Sequence, residues 1–241
     1  MALAESVDKV APPPLPAKPP SFRAERKLFR EGFARVAGVD EAGRGPLAGP
    51  VVAGVAVIDR TLAKRKLLRL IDDSKKLVRA EREAAYAAMT ASGCVRFAVG
   101  EASVEEIDRI NILQATFLAM RRALQAMAEQ PDIVLIDGDR LPPELGCRAE
   151  TIVGGDARSY SIAAASIFAK VTRDRYMCRL AEAFPGYGWE TNVGYKSPAH
   201  LAALKRLGPT PHHRRSFAPV RACLGEPVAV PAQAIAEEMH D

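Results

Sequence analysis

The segment Val39-Asp40-Glu41-Ala42-Gly43-Arg44-Gly45-Pro46 sets two adjacent carboxylates at the end of an apolar run, Val36-Ala37-Gly38-Val39. Carboxylates at the mouth of a buried strand are costly unless paired, hydrogen-bonded or bound to metal. Two together favour a divalent cation, which prefers oxygen ligands. The glycines let a backbone or a ligand approach closely, and the arginine offers a planar fork for phosphate. One stretch of chain thus combines a metal site with a phosphate contact. Neighbouring strand residues point to opposite faces. Asp40 and Glu41 therefore share a site only if the chain turns at Glu41, and Gly43 and Gly45 supply such a turn.

Two further acids fit this chemistry. Asp137 directly follows Ile133-Val134-Leu135-Ile136 and precedes Gly138. A turn or cap aspartate is the alternative role, and Asp139 is a nearby competitor. Asp137 is preferred because it stands at the strand end itself. Asp174 lies in a long helical stretch where Ile167, Val171, Asp174 and Cys178 recur at spacings of four, three and four. That stripe faces the core, while Arg173 and Arg175 point elsewhere on the wheel. Either Asp174 forms an i,i+4 salt bridge with Lys170, or it reaches the other acids while Lys170 and Ser166 face a phosphate. Asp40, Glu41, Asp137 and Asp174 together suit two-metal phosphoryl transfer, one ion activating water and the other stabilising the leaving 3′ oxygen.

The elements that must position these acids are legible. Residues 35–40, 49–58 and 94–100 read as strands, with a helix over 79–91 stopped by Gly93. A longer helix over 111–130 carries Ile112, Phe117, Met120, Leu124 and Met127 near helical spacing, with Pro131 after it. Residues 133–136 form a buried strand and 150–153 a fifth, followed by helices over 159–184 and 198–207. Three strands first, then strands alternating with helices, predict a mixed sheet with helices packed on it, within the α/β class. Ligands of such sheets collect at the carboxyl ends of strands, so Asp40 and Asp137 should converge. Six of the 18 prolines fall between Ala11 and Pro20, a composition that cannot build a core. Residues 1–30 accordingly read as a disordered proline-rich leader, 31–224 as the catalytic domain and 225–241 as a loose tail.

Bulk properties narrow the class. Of 241 residues, 48% are hydrophobic and 26% charged, as in a soluble globular protein. The net charge of +5 fits a polyanionic partner, although 34 basic against 29 acidic residues is a modest excess. The four cysteines, Cys94, Cys147, Cys178 and Cys223, form no C-x-x-C pair, which argues against zinc and against a disulfide framework. No apolar stretch approaches the ~18 residues of a membrane span, and the N-terminus lacks the order of a signal peptide. A cytoplasmic location with no membrane partner is expected.

Weaker motifs remain. Gly43-x-Gly45-x-x-x-Gly49 is followed by a β-branched strand, so it is not a dinucleotide loop. His200, His212, His213 and His240 lack metal-ligand spacing. His212-His213-Arg214-Arg215 and Asp73-Ser74-Lys75-Lys76 either meet a nucleic-acid backbone or are solvated surface runs. Trp189 and Tyr195, beside glycines, either stack on sugars or bases or simply pack.

These residues, in this order, resemble the ribonuclease HII family. Asp40-Glu41-Ala42-Gly43-Arg44-Gly45-Pro46 is similar to its first signature, Asp72-Asp73-Ser74-Lys75-Lys76-Leu77 to its lysine loop, and Ile136-Asp137-Gly138 to its strand-end aspartate. The stretch from Ala164 to Asp174 is similar to its helical signature, Gly194-Tyr195-Lys196-Ser197-Pro198-Ala199-His200 to its tyrosine segment, and Gly208 to Phe217 to its terminal block. Phe168 replaces the usual leucine and Ser197 the usual threonine. The resemblance runs from Arg35 to Leu224; the proline-rich leader lies outside it.

The resemblance implies an RNase H-like fold: a mixed five-stranded sheet flanked by helices, with a helical C-terminal part. It implies Mg²⁺- or Mn²⁺-dependent endonucleolytic cleavage of the RNA of RNA–DNA hybrids. It also implies cleavage 5′ of single ribonucleotides embedded in duplex DNA, leaving a 3′ hydroxyl and a 5′ phosphate. Asp40, Glu41, Asp137 and Asp174 would hold the metals. Gly43, Arg44, Gly45, Lys75, Ser166, Lys170 and Tyr195 would contact nucleic acid, with the Gly-Arg-Gly backbone and Tyr195 sensing the 2′-hydroxyl that separates RNA from DNA. A monomer is expected, and no clamp or polymerase partner is legible. The alternatives are another two-metal nuclease of the 3′ exonuclease type, which product lengths would separate, and a non-catalytic hybrid-binding protein, expected only if an acid were missing.

Overall fold

The computed structural model describes residues 19–225. Five strands form one sheet: β1 (Val36–Ala42), β2 (Val51–Ile58), β3 (Val95–Ala102), β4 (Ile133–Asp137) and β5 (Arg148–Ile152). Their order is β3-β2-β1-β4-β5. β1, β2 and β3 pair antiparallel, whereas β4 runs parallel to β1 and β5 parallel to β4. The expected mixed five-stranded α/β sheet is what forms.

Two long helices cover its faces: α4 (Val104–Gln125) and α5 (Tyr160–Ala183). In strand geometry alternate side chains go to alternate faces. Ala37, Val39, Ala53 and Val55 pack with Phe117, Met120 and Leu124 of α4, while Ala56 and Ile58 pack with Ala164, Ala165 and Phe168 of α5. The α5 face is unusually close. A Cβ on Gly38 would lie 2.1 Å from the Ser161 carbonyl carbon, and one on Gly54 2.3 Å from the Ala165 carbonyl oxygen. Bare glycine backbone against an alanine-rich helix lets α5 run directly over the strand ends that carry the acids. Phe168, fully buried, stacks on Phe97 at 3.6 Å between ring centroids, so the departure from leucine is absorbed by packing.

The smaller helices are α1 (Arg23–Arg30), α2 (Arg65–Leu68), α3 (Arg79–Ala91), α6 (Trp189–Asn192), α7 (Pro198–Leu207) and α8 (Ala218–Cys223). Helix α1 corrects the expected leader, which does not extend to residue 30. Leu28 is fully buried against Val36 and Ile133, a contact worth roughly 1.5–3 kcal/mol of apolar burial. Glu25, also buried, accepts hydrogen bonds from Ser159 Oγ, Ser161 N–H and Ser161 Oγ. The proline run lies outside the described residues, as does the expected tail beyond Gly225.

Helix α4 starts earlier than expected and stops at Gln125. Ser103 caps its first part, accepting from Glu106 N–H at 3.3 Å while Glu106 Oε2 accepts from Ser103 N–H at 2.9 Å. Asn111 breaks it (φ 66°, ψ 164°) and caps the second part, its Oδ1 accepting from Leu113 N–H and Gln114 N–H. The position expected to begin a helix is thus an internal restart.

Candidate active site

Parallel pairing of β1 and β4 matches Val39 with Ile136, so Asp40 and Asp137 sit side by side at two carboxyl ends on the α5 face. Asp156 joins them from the 3₁₀ turn Gly155–Ala157 beyond β5. One carboxylate oxygen from each of Asp40, Asp137 and Asp156 lies within 4.8 Å of the others. Burial, with Glu41 and Asp137 nearby, holds the Asp40 carboxyl well above its ordinary range, although Ser166 and the Glu41 N–H favour its charged form. Burial also raises Asp137, against the Gly155 N–H that donates to its Oδ1 at 2.6 Å. The donor set is all oxygen and short of positive charge, so it fits a hard divalent cation.

Two expectations are corrected here. Asp174 is not in the cluster. It is buried on α5, but Lys170 Nζ meets its Oδ1 at 2.8 Å and Arg82 lies 3.6 Å from its Oδ2. Ser166 is the α5 residue beside Asp40, and eight further residues carry Asp174 about 12 Å along the helix axis. A wheel gives the face of a helical residue, not its height. The turn expected at Glu41 is absent, because β1 continues through Ala42, yet Glu41 still lines the same cleft as Asp40 and Asp137. Its side chain therefore leaves by the α4 face at the rim of the cluster, where Arg44 Nη1 meets its Oε1 at 3.2 Å. Burial raises its carboxyl, opposed by Arg44.

A cleft of about 210 Å³ joins the acids to the residues expected to contact nucleic acid. It is lined by Asp40, Glu41 and Asp137 together with Gly43, Arg44, Gly45, Tyr195, Ser74, Lys75, Ser166 and Lys170. Lys75 Nζ lies 2.9 Å from Asp156 Oδ2. Burial alone would lower the Lys75 ammonium, but the bond and ion pair with Asp156 outweigh it and raise its pKa. Ser74 Oγ is 2.8 Å from Ser166 Oγ, which ties the lysine loop to α5. Lys170 stands 5.6 Å from the Tyr195 ring centre. Tyr195 is 44% exposed, so its ring is open to solvent at the cleft.

The basic knot is not a surface run throughout: His213 and Arg214 are fully buried, as is Arg173, which the helical wheel had placed away from the core stripe. Trp189 is fully buried as well and packs rather than meets a ligand. His200 Nδ1–H donates to the Tyr195 carbonyl at 2.9 Å. Its Nε2 then accepts from Trp189 Nε1–H and from His213 Nε2–H, both at 3.1 Å, while His213 Nδ1 accepts from Thr210 N–H at 3.0 Å. Each ring has one donor and one acceptor role, so the pair is neutral. Asp156 is the residue sequence reasoning passed over, and the burial of Arg173, His200 and Arg214 was not foreseen. Asp156 lies four residues beyond the end of the polar strand β5, so a strand-end rule does not reach it.

A mixed sheet with acids at adjacent carboxyl ends and a long helix across them defines a nuclease of the RNase H class. The crystal structure of the ribonuclease H2 from Pyrococcus horikoshii OT3 has this fold, with a TM-score of 0.65 and 30% identity over 78% of this chain and 96% of that one. The family model described as Ribonuclease HII matches residues 37–220. Ribonuclease HII of Rhodospirillum rubrum is 62% identical over 197 residues, covering 82% of this chain and 90% of that protein, and that of Granulibacter bethesdensis is 54% identical over 198 residues with the same coverage. The chain belongs to the ribonuclease HII family. It is an endoribonuclease for RNA–DNA hybrids that uses a divalent metal. Among the described residues no helix is long and apolar enough to cross a membrane.

Proposed function

We propose that this protein nicks duplex DNA on the 5′ side of single embedded ribonucleotides as well as cutting long RNA–DNA hybrids, leaving a 3′ hydroxyl and a 5′ phosphate. The observation that carries this reading is the cleft that sets Asp40, Glu41 and Asp137 against Gly43, Arg44, Gly45 and Tyr195, with a carboxylate oxygen of Asp156 within 4.8 Å of those of Asp40 and Asp137. Asp40, Asp137 and Asp156 would hold Mg²⁺ or Mn²⁺, with Glu41 at the rim. Bound there, two such ions supply the charge that makes water nucleophilic and stabilises the leaving 3′ oxygen. Lys170 and Lys75 would meet the phosphates on either side. Tyr195 stacks under a sugar while the Gly43-Arg44-Gly45 peptides reach its 2′-hydroxyl. Asp174, paired to Lys170, positions that lysine instead of binding metal. The protein acts as a monomer in this reading.

Asp137→Asn tests it. The substitution should abolish cleavage of a one-ribonucleotide duplex while leaving duplex binding, measured by fluorescence anisotropy, within a few-fold of wild type. Full cleavage by this variant would remove Asp137 from the metal site.

A further inference from the structure

Arg173 and Arg214 are buried without a carboxylate within salt-bridge distance, among the described residues. Burial lowers the Arg173 pKa to about 10 and that of Arg214 to about 9. Isolated buried charges are costly and persist where hydrogen bonds satisfy them. Here every hydrogen-bond partner is a main-chain carbonyl. Arg173 donates to Pro50, Ala48 and Val193 at 3.0, 2.9 and 3.0 Å. Arg214 donates to Gly49 at 2.9 Å, to Arg44 at 2.9 Å, to Pro50 at 3.2 Å and to Gly43.

All but one of these acceptors lie between β1 and β2, in the loop that includes Gly43-Arg44-Gly45. The carbonyls of Gly43 and Arg44 are drawn inward by Arg214. Among the described residues, the N–H groups of Arg44 and Gly45 have no protein acceptor. The same loop packs against Arg173 directly: Gly43 has φ +97°, and a Cβ there would sit 2.0 Å from Arg173 Nε. Glycine at this position is therefore set by the guanidinium that packs against it. The one remaining acceptor, Val193, lies two residues before Tyr195.

We propose that Arg173 and Arg214 are positioning residues for ribose discrimination. Their forks hold the carbonyls of the loop from below, which fixes its peptide N–H groups toward the cleft and sets the loop's distance from Tyr195. A lysine in either place keeps the charge but has no planar fork. It can hold one or two carbonyls in place of three or four. The loop's peptides would then lose their fixed orientation even where the fold survives. This inference rests on the function proposed above.

The test uses Arg214→Lys and Arg173→Lys in the full chain. For each, kcat and KM are measured on a one-ribonucleotide duplex and on a long hybrid, alongside Tm. Wild type nicking the one-ribonucleotide duplex is the control for the functional reading; if that control fails, the functional reading fails, irrespective of the arginines. Given the control, either lysine variant should lower kcat/KM on the single ribonucleotide at least tenfold more than on the hybrid. Equal losses on both substrates, accompanied by a lowered Tm, would show a purely structural role and overturn the proposal, as would unchanged kinetics. If Arg214→Lys does not fold, Arg173→Lys, which touches different carbonyls, decides alone. If neither variant folds, the arginines serve the fold itself and the proposal is overturned.

Discussion

Replacing Asp174 with Asn separates metal binding from positioning. Asp174 is buried with two cations on it, Lys170 at 2.8 Å and Arg82 at 3.6 Å, whose side chains are 20% and 14% exposed. Removing the anion of a buried pair typically costs about 3–5 kcal/mol because the partner charge is stranded. Asn keeps an acceptor, and Lys170, whose pKa burial already lowers, can shed its proton, so about 2–3 kcal/mol is expected. For a domain of this size that corresponds to roughly 4–12 °C in Tm. Asp156→Asn should behave in the opposite way. It removes one of three clustered carboxylates, and its ion pair with Lys75 is exposed on the lysine side; such pairs contribute about 0–1 kcal/mol. Metal-free Asp156→Asn should thus be as stable as wild type, within about 1 kcal/mol, yet lose Mn²⁺ binding. Calorimetric titration with Mn²⁺ and thermal denaturation of both variants is the assay. An Asp174→Asn protein with unchanged Tm and lost Mn²⁺ binding would restore Asp174 as a metal ligand and refute this assignment.

Further outcomes follow from the same contacts. Asp40, Glu41 and Asp137 all have raised pKa values, with burial the largest cause, so protons compete with a cation for them at higher pH than for free carboxylates. Apparent Mg²⁺ affinity should therefore rise with pH, and titrations in buffers of different ionisation enthalpy should reveal proton release; none would contradict the raised values. His213 is held neutral, its pKa lowered to about 3 by burial and by His200 and His212, from an ordinary 6.5. The unfolded chain gains a proton below pH 6.5 that the folded state refuses, so stability is complete above that pH and falls by about 1.4 kcal/mol per unit below it. Urea denaturation of His213→Gln should show a flatter acid limb than wild type, and parallel limbs would rule out the buried neutral pair. Leu28→Ala should cost about 2–5 kcal/mol by the same method; a cost under about 0.5 kcal/mol would detach α1 from the folded unit.

What the sequence disclosed, and what it withheld, follows the range of the interactions. Asp40 and Asp137 were legible because each ends an apolar run, and strand-end chemistry needs only that local pattern. Asp156 was not, because β5 is a polar strand (Arg148–Ile152) separated from its acid by Val153, Gly154 and Gly155. Asp174 stood out correctly as a buried acid, yet a helical period fixes azimuth and leaves position along the axis undetermined. Arg214 read as surface because charge defaults to solvent; its acceptors lie more than 160 residues away in the chain. Helix α1 was masked by the proline run before it, and its anchors, Ser159 and Ser161, are likewise remote. Local patterning thus revealed the sheet, the two covering helices and two of the three clustered acids, while the residues that orient the site depend on contacts no spacing rule reaches.

The most direct measurement is to map the products from a DNA duplex containing one ribonucleotide, incubated with wild-type protein and Mg²⁺ or Mn²⁺. A single internal nick on the 5′ side of the ribonucleotide, with a 3′ hydroxyl and a 5′ phosphate, is the predicted result. A ladder of products from the 3′ end, or no cut on this duplex while a long hybrid is degraded, would contradict it.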